Sequence, residues 1–205
     1  DTAEDFKNRI IYYESSRGCP FRCSYCLSSI DKTVRLRDME TVKKELQYFL
    51  DKRVAQVKFV DRTFNCNHAH ATAIWQYILE HDNGVTNFHF EICADLLNDR
   101  LLRLLSRARK GLFQFEIGIQ STNPDTLAAV NRKENVYPIL YNVEKLMELG
   151  NIHIHVDLIA GLPYESYEIF ERSFNKVYAL FHSFYLLSFS SAICSLVLPN
   201  LLSLC

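Results

Sequence analysis

The chain has 205 residues, of which 48% are hydrophobic and 23% charged, and its formal net charge is −1. This composition is typical of a globular protein and excludes a disordered or fibrous chain. The near-neutral charge argues against a broad basic surface for nucleic acid, and the length suits a single α/β barrel domain.

Short apolar runs alternate with helical patterns from residue 10 to about residue 178. A β-branched and aromatic run at 10–13 predicts the first strand, and apolar residues at i, i+4, i+7 and i+8 from Val42 predict the first helix. The other predicted strands cover 57–60, 88–92, 113–119 and 152–159, and the other predicted helices cover 71–79, 97–105, 143–149 and 167–177.

Strands that alternate with helices in this way predict a mostly parallel sheet. No G-x-G-x-x-G pattern follows the first strand, which argues against a dinucleotide-binding fold. We therefore predict an α/β fold, a partial (β/α)6 TIM-like barrel with an open parallel sheet. In such sheets the chemistry lies at the carboxyl ends of the strands.

Residues 179–205 differ in composition from the rest of the chain. After Lys176 there is no Lys, Arg, Asp or Glu, whereas Ser and Leu are frequent. We therefore divide the chain into a core domain at 1–178 and an uncharged, atypical tail at 179–205. Three interpretations of the tail stay open: a final strand at 183–190 with a helix, a membrane segment, and a truncated or frameshifted end. The frameshifted end is favoured, and no stable membrane association is expected, because Ser, Pro and Asn dilute the hydropathy.

Three cysteines lie within eight residues, directly after the first predicted strand. They are Cys19, Cys23 and Cys26, with the spacing Cys-x3-Cys-x2-Cys. Thiolates brought together on one loop suit an iron–sulfur cluster, zinc or copper(I). A structural zinc site normally has four protein ligands. The nearest candidates for a fourth ligand are Cys66, His68 and His70. Three thiolates on a cubane cluster keep one iron free for a small molecule, which favours catalysis over a purely structural site.

With its Gly-Cys-Pro opening and with Tyr25 before the third cysteine, this loop resembles the cluster-binding loop of the radical S-adenosylmethionine (SAM) enzymes. The resemblance extends to about residue 178, in particular toward uncharacterised radical SAM proteins with an N-terminal cobalamin-binding domain. It implies that the three cysteines hold a 4Fe–4S cluster and that SAM binds the free iron, with Tyr25 beside it. Cobalamin would come through a domain absent from these residues.

The resemblance also implies SAM contacts at the ends of the next three predicted strands. Asp61 follows the second strand, where the family contacts the SAM amino group, although the usual Gly-Gly-Glu is replaced there and a turn role stays open. Glu91 ends the third strand at a position that often holds SAM, since a carboxylate among apolar neighbours needs a partner. Gln120 ends the fourth strand and resembles the residue that contacts the ribose.

Three more SAM contacts are implied further along the chain. Arg132, expected on the helix after Gln120, resembles the arginine that pairs with the SAM carboxylate; a solvated helix charge is the alternative. Asp157 and Gly161 lie in a segment similar to one of coproporphyrinogen-oxidase-like enzymes, in which the backbone packs against adenine and Asp157 would face the ribose. Glu165 is expected to start the following helix.

The implied activity is reductive cleavage of SAM to a 5′-deoxyadenosyl radical, which takes a hydrogen atom from an unknown substrate. The electron would come from a flavodoxin- or ferredoxin-type reductant, and an oxygen-sensitive cluster suits the cytoplasm. No catalytic side chain is identified, and His153 and His155, which share one strand face, are given structural roles. Two alternatives stay open: a non-catalytic iron–sulfur or zinc module, and an inactive truncated relative.

Overall fold

A computed structural model of the chain describes residue 6, residues 9–132 and residues 135–182. Its strands and helices in chain order are β1 (Ile10–Tyr13), β2 (Ser16–Arg17), β3 (Arg35–Leu36), α1 (Met39–Asp51), β4 (Gln56–Phe59), α2 (His68–Glu80), β5 (Asn87–Ile92), α3 (Asp99–Leu105), β6 (Phe113–Gln120), α4 (Pro124–Ala129), α5 (Val136–Leu149), β7 (His153–Leu158) and α6 (Tyr167–His182). Short 3-10 helices lie between these elements, at Leu27–Ile30, Phe64–Cys66 and Ala94–Leu96.

Five of these strands form one open parallel sheet in the order β1-β4-β5-β6-β7. The prediction of an α/β fold with a partial barrel is confirmed. Strands β2 and β3 form a separate antiparallel pair beside the cysteine loop, and the sequence did not predict it. Helix α6 runs past residue 178 to His182, and the predicted sixth strand at 183–190 lies outside the described residues.

Asx caps fix where several helices begin. The side chains of Asp38, Asn67 and Asn98 each accept a hydrogen bond from the backbone N–H three residues on, at 2.9–3.0 Å. Such caps satisfy N–H groups that have no partner in the first helical turn. No helix in the described ranges is long and apolar enough to cross a membrane.

The outer face of the sheet forms the core against the helices. Aromatic side chains dominate it: the rings of Phe59 and Phe64 each lie 4.4 Å from the ring of Phe90, and Trp75 lies 5.6 Å from Phe115. All five side chains are at most 1% exposed. Successive residues of a strand point to opposite faces of the sheet. The polar residues that alternate with these aromatic ones therefore lie on the other, concave face; they include Lys58, His89, Glu91 and Glu116.

Candidate functional site

The cysteine loop leaves the carboxyl end of β1 and is fixed on two sides. Cys19 N–H donates to the Asp31 carbonyl at 3.0 Å, and Ser24 N–H donates to the Val130 carbonyl at 2.9 Å. Gly18 has a φ of +98°, and a Cβ there would overlap the Thr33 carbonyl. Only glycine fits that backbone and that contact, so Gly18 sets the entry of the loop.

The three cysteines lie on one loop, and none is in a disulfide. Cys19 and Cys23 are 8% and 7% exposed, Cys26 is half-buried, and Cys19 Sγ lies 3.6 Å from Thr63 Oγ1. Within the described part of the chain, no three Cys, His, Asp or Glu side chains are close enough to hold one metal ion. In a cubane each thiolate binds a different iron, so three soft donors spaced along one loop fit that group.

Asp61 ties the end of β4 to the start of the cysteine loop. Its carboxylate is fully buried and accepts from Ser15 N–H at 3.0 Å, Ser15 Oγ at 2.7 Å and Ser16 Oγ at 2.5 Å. His70 Nε2 lies 3.0 Å from Ser15 Oγ. These bonds occupy most of the acceptor sites of the carboxylate. Its predicted contact with SAM stays a prediction, and the geometry favours a positioning role. Ser15 and Ser16 were not predicted as part of the site. The Ser-Ser pair directly before the cysteine loop is the sequence feature that could have indicated them.

Arg132 does not lie on a helix, so that expectation is wrong. Asn131 has a φ of +55°; its N–H donates to the Ala128 carbonyl, and Arg132 N–H donates to the Leu127 carbonyl at 2.8 Å. This is a Schellman cap, in which a left-handed residue ends the helix and turns the next residue back. The cap ends α4 before Arg132 is reached and directs Arg132 toward the sheet.

The guanidinium of Arg132 joins the cysteine loop to β6. Nη1 donates to Tyr25 Oη at 3.0 Å, and Nη2 donates to the Gly118 carbonyl at 2.6 Å. Burial raises the pKa of Tyr25, and the Cys23 thiol lies close to the same hydroxyl. The structure thus brings Tyr25, Arg132 and the end of β6 together beside one of the three thiols. A planar guanidinium at this place can bind a carboxylate with two parallel hydrogen bonds.

Gln120 carries a buried acceptor with no partner. The residue has a φ of +69°, uncommon for a side chain with a Cβ, and lies at a register shift between β6 and β7. Its side chain folds over Gly118, where a Cβ would overlap the Gln120 amide nitrogen. Gln120 Oε1 is buried without a hydrogen bond. A ligand hydroxyl would satisfy this oxygen, so the residues present fit a bound nucleoside such as that of SAM.

Three carboxyl groups lie together on the concave face. Glu116 Oε2 lies 3.1 Å from both Lys58 Nζ and His89 Nε2, and hydrogen bonding to His89 and then Lys58 lowers its pKa to about 2. Burial, with the Glu116 charge, raises the pKa of Glu91, and the same causes raise that of Asp157 to about 6. Glu91 and Asp157 therefore flank Glu116, a carboxyl group with a lowered pKa that was not among the predicted site residues.

The loop after β7 reaches the end of β6. Gly161 has a φ of +83° and no heavy atom within 4 Å of its Cβ position, which leaves open space beside the backbone. Glu165 does not start α6 as expected, since the helix begins at Tyr167. It accepts from Ser121 Oγ at 2.6 Å instead, so it fastens this loop to the sheet.

The family of the chain is shown by its similarity to known proteins. Residues 13–177 match the family model of the Radical SAM superfamily. The chain is 29% identical over 164 residues to the cobalamin-dependent radical SAM methyltransferase TokK of Streptomyces tokunonensis, covering 75% of this chain and 23% of TokK. It is 26% identical over 171 residues to 2-(S-pantetheinyl)-carbapenam-3-carboxylate methyltransferase of Streptantibioticus cattleyicolor, with the same two coverages.

Among solved structures, the chain superposes on the radical SAM methyltransferase TsrM of Kitasatospora setae, which was determined with cobalamin and a [4Fe-4S] cluster bound. The TM-score is 0.71 at 20% identity, and the match covers 83% of this chain and 32% of TsrM. At this identity the likeness concerns the fold. The chain spans about a quarter of the length of the two sequence relatives.

Proposed function

Because the chain belongs to the radical SAM superfamily, we propose that Cys19, Cys23 and Cys26 hold a 4Fe–4S cluster and that SAM binds beside it. When bound, such a cluster supplies the electron that cleaves SAM to methionine and a 5′-deoxyadenosyl radical, which abstracts hydrogen from a substrate. The observation that carries the proposal is the cysteine loop at the carboxyl end of β1, joined to β6 through Tyr25 and Arg132.

The chain's own residues bind and orient the cosubstrate. Arg132 is placed to bind the SAM carboxylate, because its guanidinium is already held beside the cysteine loop by hydrogen bonds to Tyr25 and to the Gly118 carbonyl. Gln120 Oε1 is placed to accept from a ribose hydroxyl, because it is buried and lacks a donor. Glu91, Asp157 and Gly161 complete the site along the neighbouring strand ends, and Asp61 holds the loop in place.

Burial of two of the cysteines limits the access of water to the site. Cys19 and Cys23 are almost wholly buried, which protects a cluster from solvent. We place the activity in a reducing cytoplasm, with a flavodoxin- or ferredoxin-type protein as the one-electron donor, because the cluster chemistry is oxygen-sensitive.

A second candidate is methyl transfer with cobalamin. Its support is that TokK and TsrM, which share this domain, are methyltransferases described with cobalamin. In that case the cobalamin would be held by a domain outside these residues.

The test is anaerobic reconstitution of the chain with iron and sulfide, followed by SAM and dithionite. The proposal predicts release of 5′-deoxyadenosine and methionine, measured by liquid chromatography and mass spectrometry. The matched controls are a Cys19/Cys23/Cys26→Ala variant, expected to be inactive, and Cys93→Ala, expected to be active. Cys93 is a buried cysteine outside the loop.

Each remaining outcome selects another function. Intact SAM beside a loaded cluster would contradict the proposal and favour a non-catalytic module or an inactive relative. Tight zinc uptake without iron would favour a zinc module. S-adenosylhomocysteine formed only when cobalamin and its domain are supplied would favour methyl transfer.

A further inference from the structure

The concave face of the sheet contains a histidine that the site described above does not use. His155 lies on β7, two residues before Asp157, and is half-buried. Its Nε2 is 2.8 Å from Gln114 Nε2 on β6, while its Nδ1 is buried and has no hydrogen-bond partner. Which nitrogen carries the proton decides what His155 can bind.

A chain of amide groups fixes the orientation of Gln114. Asn87 Nδ2 donates to the Gly111 carbonyl at 2.9 Å, so Asn87 Oδ1 must face the other way and accept from Gln56 Nε2 at 3.0 Å. The same Gln56 nitrogen lies 3.5 Å from Gln114 Oε1. Gln114 therefore presents its nitrogen, a donor, to His155. This orientation follows from the hydrogen-bond network. If the Gln114 amide were turned over, its NH2 group would face the NH2 group of Gln56, and two donors would meet.

The tautomer of His155 follows from that orientation. Because Gln114 donates to Nε2, that nitrogen accepts and Nδ1 carries the proton. Burial, followed by the nearby His153 and His89, lowers the pKa of His155, which favours the neutral ring. Nδ1–H is consequently a fixed, buried donor without an acceptor, and buried donors are rarely left unmatched.

The charges around His155 select the kind of acceptor. The titratable groups that face it are Lys58 on β4, His89 on β5, Glu116 on β6, and His153 and Asp157 on β7. Lys58 is already paired with Glu116, which keeps its charge. Among the described groups that act on His155, Lys58 is the one cation and is already paired, so a ligand carboxylate or phosphate would lose its hydration there without gaining a counter-ion.

We propose that His155 Nδ1–H binds an uncharged hydrogen-bond acceptor of the substrate, an amide carbonyl or a neutral ring nitrogen, and that anionic groups are excluded there. The identification of this ligand as the substrate rests on the proposed function. The donor itself, its tautomer and its selectivity do not.

The test uses the full chain, uniformly labelled with ¹⁵N and without added cluster or SAM. His155→Asn identifies the His155 signals by their loss. The proposal predicts the Nδ1–H tautomer at pH 7.5, and an Nε2–H or doubly protonated ring would overturn it. N-methylacetamide should then shift Nδ1 saturably, and acetate, of similar size, should bind at least about tenfold more weakly. Equal binding of acetate, or no shift with the amide, would overturn the proposal.

Variants separate the donor from a purely structural role. The backbone amide of Asp157 serves as the reporter of amide binding. His155→Asn keeps an N–H near the position of Nδ1 and should bind the amide, whereas His155→Phe should not. His153→Phe, on the same strand face, is the matched control and should bind. Loss of binding in His155→Asn or its survival in His155→Phe would overturn the assignment.

These readouts do not depend on SAM cleavage. A chain that binds the amide as described but leaves SAM intact would contradict the proposed function alone. A chain that cleaves SAM but lacks the selective donor would contradict this inference alone.

Discussion

Replacement of Asp61 by asparagine removes a buried charge that holds the cysteine loop to β4. Ser15 N–H can still donate to the remaining carbonyl oxygen, but the new NH2 faces the hydroxyls of Ser15 and Ser16, which now donate to the carboxylate at 2.7 and 2.5 Å. Both hydroxyls must rotate to accept, and one already contacts His70. Losing two charge-assisted hydrogen bonds with partial rearrangement should lower the free energy of unfolding by about 2–4 kcal/mol.

Urea denaturation followed by circular dichroism measures that loss, and iron content after reconstitution measures its effect on the loop. We expect Asp61→Asn to lose stability and iron together. The matched control is Asp51→Asn at the exposed end of α1, where the carboxylate accepts from Gln47 at 2.7 Å. That change should stay within about 0.5 kcal/mol of the original protein.

Two results would refute this reasoning. If Asp61→Asn is as stable as the Asp51 control, the buried hydrogen bonds do not hold the loop. If stability and iron content are unchanged while SAM affinity falls, Asp61 contacts SAM, as the sequence comparison implied, and is not a positioning residue.

Three further predictions concern other residues of the fold and the site. Arg132→Lys should weaken SAM binding about tenfold or more by calorimetry while iron content is kept, because lysine cannot bond Tyr25 and the Gly118 carbonyl together; unchanged affinity would exclude the carboxylate contact. Asp157→Asn should raise the free energy of unfolding by about 1–2 kcal/mol at pH 8 and by little at pH 4, measured with urea, because burial raises the pKa of Asp157 from 3.8 to about 6 and the cost of this carboxyl builds up as the pH rises between those two values; an equal effect at both pH values would contradict the burial argument. Trp75→Ala should lower stability by about 3–5 kcal/mol, because the indole is 0% exposed and packs on Phe115; a loss below about 1 kcal/mol would contradict that packing.

Patterns within a short window predicted the sheet well. The alternation of apolar strands and amphipathic helices is local, and each of the five predicted parallel strands is present at nearly the expected residues. The cysteine spacing is local too. A helix was expected after Gln120, but the bounds of α4 were not predicted, because six residues give little periodicity; Asn123-Pro124 is its start signal, with Pro at the first helical position.

The side-chain arrangement of the site could not be predicted in the same way. The place of Arg132 depends on a helix cap and a positive φ at Asn131, not on helical periodicity. The Asp61 contacts join residues 45 and 46 positions apart, and the Lys58–Glu116 pair joins residues 58 positions apart. Such pairings depend on the register of neighbouring strands, which a single sequence does not specify.

The central claim is that three thiols of one loop hold a cluster with an iron open to SAM. Electron paramagnetic resonance of the dithionite-reduced chain, recorded with and without SAM, tests this most directly. The account predicts a cluster signal whose g-values change when SAM is added, which persists in Cys93→Ala and is lost when Cys19, Cys23 and Cys26 are replaced. The claim would be contradicted by a signal whose g-values do not change when SAM is added, or by one that persists when the three cysteines are replaced.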